Sequence, residues 1–161
     1  MQRPFRYDYT DIRPASFAKR LLAMLYDSLI LVAIWLFVAI VATALNQGGV
    51  TSPLGRAALQ SAQFCLSFLF FGYFWTRNGQ TLGMQAWRLR VQTLDGQRIT
   101  WMQALIRFMG AIISWLPCGL GYLWLLFSDE RLTWHDRWSH SCVVHLPQEA
   151  LKKGERKGAR R

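Results

Sequence analysis

Three stretches of the chain contain no charged residue. They run from Ser28 to Leu45, from Ala57 to Trp75 and from Phe108 to Phe127, over 18, 19 and 20 residues. A helix rises about 1.5 Å per residue, so each run spans roughly 27–30 Å, the thickness of a bilayer core. The remaining sequence is too short to cover three such helices as the interior of a soluble bundle. The pattern therefore predicts an all-α integral membrane protein. Between the first two runs lie Asn46-Gln47-Gly48-Gly49 and Ser52-Pro53, residues that favour a turn. This predicts an antiparallel helical hairpin. The third run is interrupted by Leu116-Pro117-Cys118-Gly119-Leu120-Gly121. Proline removes a helical hydrogen bond and glycine permits a tight turn. Two forms fit this broken segment. In a re-entrant hairpin, Trp101 to Leu116 enters the membrane and Leu120 to Phe127 returns. In the other form, the segment is one kinked span.

Charge decides between orientations. The chain has 19 Lys and Arg against 9 Asp and Glu, a formal net charge of +10, on a sequence that is 52% hydrophobic and 14% aromatic. That much apolar and aromatic content excludes a disordered basic tail. The charge alone would admit nucleic acid as a partner, but its placement reads as topology instead. Arg3, Arg6, Arg13, Lys19 and Arg20 precede the first run. Only Arg56 lies in the short loop, and Arg77, Arg88, Arg90, Arg98 and Arg107 lie between the second and third runs. By the positive-inside rule, the N-terminus and residues 76–107 are expected in the cytoplasm and residues 46–56 outside. The C-terminal end is also basic, with Lys152, Lys153, Arg156, Lys157, Arg160 and Arg161. Keeping it in the cytoplasm favours the re-entrant hairpin. The expected organisation is a cytoplasmic segment 1–19, a membrane domain 20–145 and a basic tail 146–161. Ala42-Thr43-Ala44 resembles a signal-peptide cleavage site, but the apolar run before it is long and starts late, so it is read as a retained span.

The connector carries its own pattern. Leu89-Arg90-Val91-Gln92-Thr93-Leu94 alternates and precedes Asp95-Gly96, a turn signal. Ser141-Cys142-Val143-Val144-His145 is a second short strand candidate. The two can pair at the membrane surface only if both lie on the cytoplasmic side. Cys65, Cys118 and Cys142 are too widely spaced for a metal or disulfide framework. His135, His140 and His145 recur every five residues, which matches no common metal site. No nucleophile–base set, phosphate loop or dinucleotide fingerprint is present. Neither an enzyme nor a cofactor is expected.

Two constellations remain as candidates for function. Arg20 and Asp27 are seven residues apart, close to two helical turns, so they share one helix face about 10.5 Å apart in height. Asp27 enters the apolar zone, where a carboxylate needs a partner. This pair is read as an interfacial depth marker, a structural ion pair or a proton-linked group. The second constellation is Trp134-His135-Asp136-Arg137-Trp138. Its two Trp residues read as an interface anchor, and His135 beside Asp136 as a possible proton relay.

These residues resemble the RDD family of membrane proteins, named for one Arg and two Asp. Lys19-Arg20-Leu21-Leu22-Ala23 with Tyr26-Asp27 resembles its opening. Gly79-Gln80-Thr81-Leu82-Gly83 and Arg88-Leu89-Arg90-Val91 look like its central motif. Leu132-Thr133-Trp134-His135-Asp136-Arg137 followed by Val143-Val144 resembles its close. Arg20, Asp27 and Asp136 would be the naming trio, with His135, Arg137, Gly79, Thr81, Gly83, Pro117 and Gly119 in support. Met84-Gln85 departs from the family, which often has a basic residue there. The resemblance implies a small bacterial inner-membrane protein, with transport of small ions by cation/proton exchange as one expected role. Three short elements cannot enclose a path alone, so that role implies a homo-oligomer. The alternative is a non-transporting module that assembles or stabilises a partner membrane protein, or binds the anionic headgroups of the lipid bilayer. Nucleic acid is not an expected partner.

Overall fold

The computed structural model describes residues 13–46, 49–116, 119–127 and 132–146. The basic residues near the start of the chain, Pro117 and the tail beyond Leu146 lie outside the described residues. Two long helices dominate, α1 (Phe17–Leu45) and α2 (Pro53–Arg77). Both are long and apolar enough to cross a membrane. The α2 start follows from its residues: Ser52 accepts from the Gly55 amide, and Pro53 occupies a first-turn position where its missing N–H costs nothing.

Helix α1 begins well before its uncharged run and includes Lys19, Arg20 and Asp27. Its burial is inverted relative to a soluble helix. Arg20, Ala23, Asp27 and Leu31 are buried at spacings of one helical turn. Leu36, Phe37 and Ile40 are 58–68% exposed. Apolar side chains facing outward and charged ones inward are what a hydrocarbon solvent selects.

After α2 the chain forms α3 (Leu82–Ala86), β2 (Leu89–Thr93), α4 (Trp101–Trp115), α5 (Leu120–Phe127), α6 (Trp134–Trp138) and β3 (Ser141–His145). Both expected strands form. They pair antiparallel, with Val91 opposite Val143 and Leu89 opposite His145. A two-residue strand that the sequence pattern did not indicate, β1 (Arg13–Pro14), adds to the other side of β3. Pro14 sits on the edge of the sheet, where its missing N–H is tolerated.

This sheet settles the course of the broken segment. The axes of α4 and α5 differ by 97°. Because β3 pairs with β2, the chain that leaves the sheet before α4 comes back to it after α6. The α4–α5 pair is therefore an excursion that returns. The core sits where the sheet meets the helices: Leu89, Val91 and Val143 pack with Trp75, Ala104 and Phe108. Phe64, Phe68 and Phe71 of α2 surround the Phe108 ring at 5.5–6.1 Å between centroids.

Candidate functional site

The closing motif folds as a capped turn of helix. Thr133 precedes α6, its side chain accepts from the Asp136 amide, and the Asp136 carboxylate accepts from the Thr133 amide, a reciprocal capping box. The cap aims Asp136 inward, where it is 0% exposed. One carboxylate oxygen accepts from Arg20 Nη1 at 2.6 Å and the other from Arg107 Nη1 at 2.5 Å. Arg20 also donates to the Val143 carbonyl, and Arg107 Nη1 to the Ser141 hydroxyl. One carboxylate thus ties α1, α4, α6 and β3 together.

Burial alone would raise the Asp136 carboxyl. The adjacent Arg107 and Arg20 guanidiniums outweigh it and hold the group well below the usual carboxylate range. His135, beside it, is lowered to about 3, chiefly by burial and further by Arg107 and Arg20, against the opposing pull of Asp136. The ring is neutral at physiological pH.

The second buried carboxylate has different partners. Asp27 accepts from the Thr81 hydroxyl at 2.5 Å and from the Gly83 amide at 2.9 Å. Thr81 also caps α3 by accepting from the Met84 amide. Gly83 is required by the close approach of α3 to α1: a Cβ there would collide with the Ala23 carbonyl and touch the Asp27 carboxylate. Gly79 sits at φ +70 and its carbonyl accepts from Val91, which joins this turn to β2.

Arg20 and Asp27 share the buried face of α1, as their spacing predicts, but the carboxylate that Arg20 grips is Asp136, and Asp27 turns to α3. Arg137 is on the exposed side of α6. Gly119, at φ +77, starts the turn into α5. His140 is exposed, and the Lys19 amine lies 2.8 Å from His145 Nε2 at the sheet. Among the described residues, no group of three His, Cys, Asp or Glu is placed to hold a metal ion.

Arg107 was counted in the sequence only as a connector charge, yet it completes the cluster. Its signal was available, since it is the one charge within the apolar α4 pattern. It is 4% exposed and its guanidinium lies 5.3 Å from the Trp75 ring centroid.

A cavity of about 970 Å³ opens beside this cluster. Arg20, Asp27, Arg107 and His135 line it, together with apolar side chains of α1, α2, α4 and α5 such as Leu31 and Phe64. Its two cationic lining side chains, Arg20 and Arg107, are the ones that grip Asp136, and the carboxylate that lines it is Asp27. Further along, Trp35 donates to Ser67, and Gln63 donates to the Trp35 carbonyl.

The family model of the RDD family matches residues 14–140 of the chain. No curated protein and no solved structure matches it.

Proposed function

We propose, from the premise that the chain belongs to the RDD family and from the chemistry of its cavity, that this membrane protein is a non-transporting module that holds an anionic lipid. The observation that carries this reading is the cavity of about 970 Å³ with apolar walls and Arg20 and Arg107 at one end. A volume of that size suits a molecule of a few dozen heavy atoms. Apolar walls accept acyl chains, and the end that holds Arg20 and Arg107, away from Asp27, accepts an anionic headgroup. Asp136 does not compete for a cation from the cavity, because its oxygens are taken by two guanidiniums and the Thr133 amide. The placement is the bacterial inner membrane, crossed more than once. The excess of basic residues in the segments before α1 and between α2 and α4 supports a cytoplasmic N-terminus and sheet by the positive-inside rule.

The test is native mass spectrometry of the protein released from its own membranes in mild detergent. Retained anionic lipid, removed by harsher detergent with a loss of thermal stability that the lipid restores, is expected. Protein that emerges lipid-free, and whose melting does not respond to added lipid, overturns the reading.

Ion exchange by a homo-oligomer is the second reading. It is favoured by Asp27, a carboxylate on a spanning helix at the cavity wall, and by the polar side chains Gln60, Gln63 and Ser67 along the same cavity. Proteoliposomes loaded with pH-, Na⁺- and K⁺-sensitive dyes decide it: coupled flux that Asp27→Asn abolishes would establish this reading in place of the first.

A further inference from the structure

The cavity ends at a fixed level between the two long helices. Along α1 its lining runs from Phe17 as far as Trp35, and along α2 from Trp75 back to Gln60. Near that far end, side chains tie α1 to α2. The Trp35 indole N–H donates to the Ser67 hydroxyl at 3.0 Å, and that hydroxyl donates to the Gln63 carbonyl at 2.7 Å. The Gln63 side-chain amide donates to the Trp35 carbonyl at 3.3 Å. Trp35 belongs to α1 and Ser67 to α2, so the indole reaches across the gap between the helices. Hydrocarbon has no water to replace a lost hydrogen bond, so the tie holds the ring in place.

The depth of the cavity follows from the helix. Arg20 and Trp35 are fifteen positions apart on one continuous helix, a rise of about 22 Å. Half of a bilayer, with its headgroup layer, measures about 20–22 Å. The cavity is therefore one leaflet deep along α1. The uncharged run of α1 extends from Ser28 to Leu45, and Trp35 lies near its middle. The guanidinium end thus sits at headgroup level, and the indole sits where the acyl chains of that leaflet end. Between the two levels the walls include Leu31, Phe71 and Ile112.

We infer that the Trp35 indole, braced by Ser67, is the floor of the cavity and selects the bound lipid by acyl-chain length. This rests on the lipid-holding reading of the cavity and adds its specificity. A lipid with its headgroup at the level of Arg20 and Arg107 can bury its chains only as far as the ring. Chains that suit one leaflet fill the space. Shorter chains leave the floor uncovered, and an unfilled apolar space forfeits contacts. Longer chains must fold back or leave between the helices, and the methylenes beyond the ring lose the walls. The selection is steric, so it acts on the tails and not on the headgroup.

The experiment uses the full chain, stripped of lipid in a neutral detergent. It is offered an equimolar mixture of dimyristoleoyl, dioleoyl and dierucoyl phosphatidylglycerol, which share a headgroup and differ in chain length. Native mass spectrometry separates and counts the bound species by mass. In the parent, dioleoyl should outbind dierucoyl about tenfold, the worth of one to two methylenes denied an apolar wall. Dimyristoleoyl should also fall behind dioleoyl. Trp35→Ala removes the floor, and dierucoyl should then bind at least as well as dioleoyl. Ser67→Ala keeps the ring but unties it, and should narrow the parent's difference. The melting of each lipid-free variant is recorded alongside, and Ser67→Ala carries the test alone where Trp35→Ala does not fold. Variants that melt lower yet keep the parent's chain preference would make the tie a helix clamp and overturn the floor. Equal binding of all three lipids by the parent would also overturn the floor and leave the lipid reading standing. Retention of none of them would overturn both.

Discussion

Asp27 and Asp136 are both buried, at 3% and 0% exposure, and both join α1 to another element. Their partners differ in kind. Asp136 accepts from two guanidiniums and a backbone amide, so its charge is what holds the cluster. Asp27 accepts from a hydroxyl and a backbone amide, so its shape and oxygens are what hold α3 to α1. Family signatures make such residues look alike, yet the surroundings give one an electrostatic task and the other a packing task. The difference is measurable because an amide can replace a carboxylate in shape but not in charge.

Asp136→Asn gives the largest effect. It leaves Arg20 and Arg107 facing each other across a neutral group in a buried site. Removing one partner of such a cluster costs about 3–5 kcal/mol. Loss of most folded protein from the membrane fraction is expected, with a sharply lowered melting transition in what remains. Melting near that of the parent would mean that the cluster is not held by charge, and the contrast with Asp27 would collapse.

Gly83→Ala probes the other side of the comparison by crowding the Asp27 latch without replacing an ionisable residue. The added methyl would collide with the Ala23 carbonyl, which belongs to the α1 backbone and cannot swing aside. Overpacking of this kind costs about 1–3 kcal/mol. A clear fall in melting temperature is expected. No fall would show that α3 is loosely seated on α1.

Acid separates the two regions a third way. His135 titrates near 3 in the folded protein, against an ordinary value near 6.5. As pH falls below 6.5, the unfolded chain takes up a proton that the folded chain refuses. Stability contributed by the neutral ring is full above pH 6.5 and shrinks as pH falls toward 3, by about 2 kcal/mol at pH 5. The Asp136 contribution lies lower, since its folded value is depressed. It is present above the ordinary carboxylate range and is lost only as pH drops below that range. Chemical denaturation at pH 7.5 and pH 5 reads the first window. Most of the slope should be lost in His135→Gln, with a smaller remainder from His145, which burial and the neighbouring Lys19 and Arg88 also lower; an undiminished slope would assign it to another group.

Much of this was legible in the chain. The uncharged runs placed α1, α2 and the break between α4 and α5, and the alternating residues from Leu89 and from Ser141 placed β2 and β3. Asp27 was marked by being acidic at the head of an apolar run, and Asp136 by its place in the Trp-flanked polar cluster Trp134-His135-Asp136-Arg137-Trp138. The partners were not legible. Arg20 and Asp136 are 116 positions apart and Arg107 and Asp136 are 29 apart, and no helical spacing relates either pair. The shared face of Arg20 and Asp27 was read correctly, but a face does not say what packs on it. The start of α1 lies outside its uncharged run because protein partners, and not apolar lipid, stabilise Arg20 and Asp27 in the interior and Lys19 beside His145 at the sheet. Strand β1 has two residues, too few to carry a pattern.

The smallest effect belongs to Asp27→Asn, and it bears most directly on function. The asparagine oxygen can still accept from the Gly83 amide, and its NH₂ can donate to the Thr81 oxygen. Both contacts survive with one bond reversed, so the cost should stay below about 1 kcal/mol, the worth of one ordinary hydrogen bond. Melting close to that of the parent, with lipid retention intact, is the expected result and would confirm Asp27 as a shape-fitting latch. A loss comparable to that of Asp136→Asn would instead mean that Asp27 needs its charge in the folded state. A carboxylate on a spanning helix that needs its charge would move the balance toward ion exchange and away from a lipid-holding module.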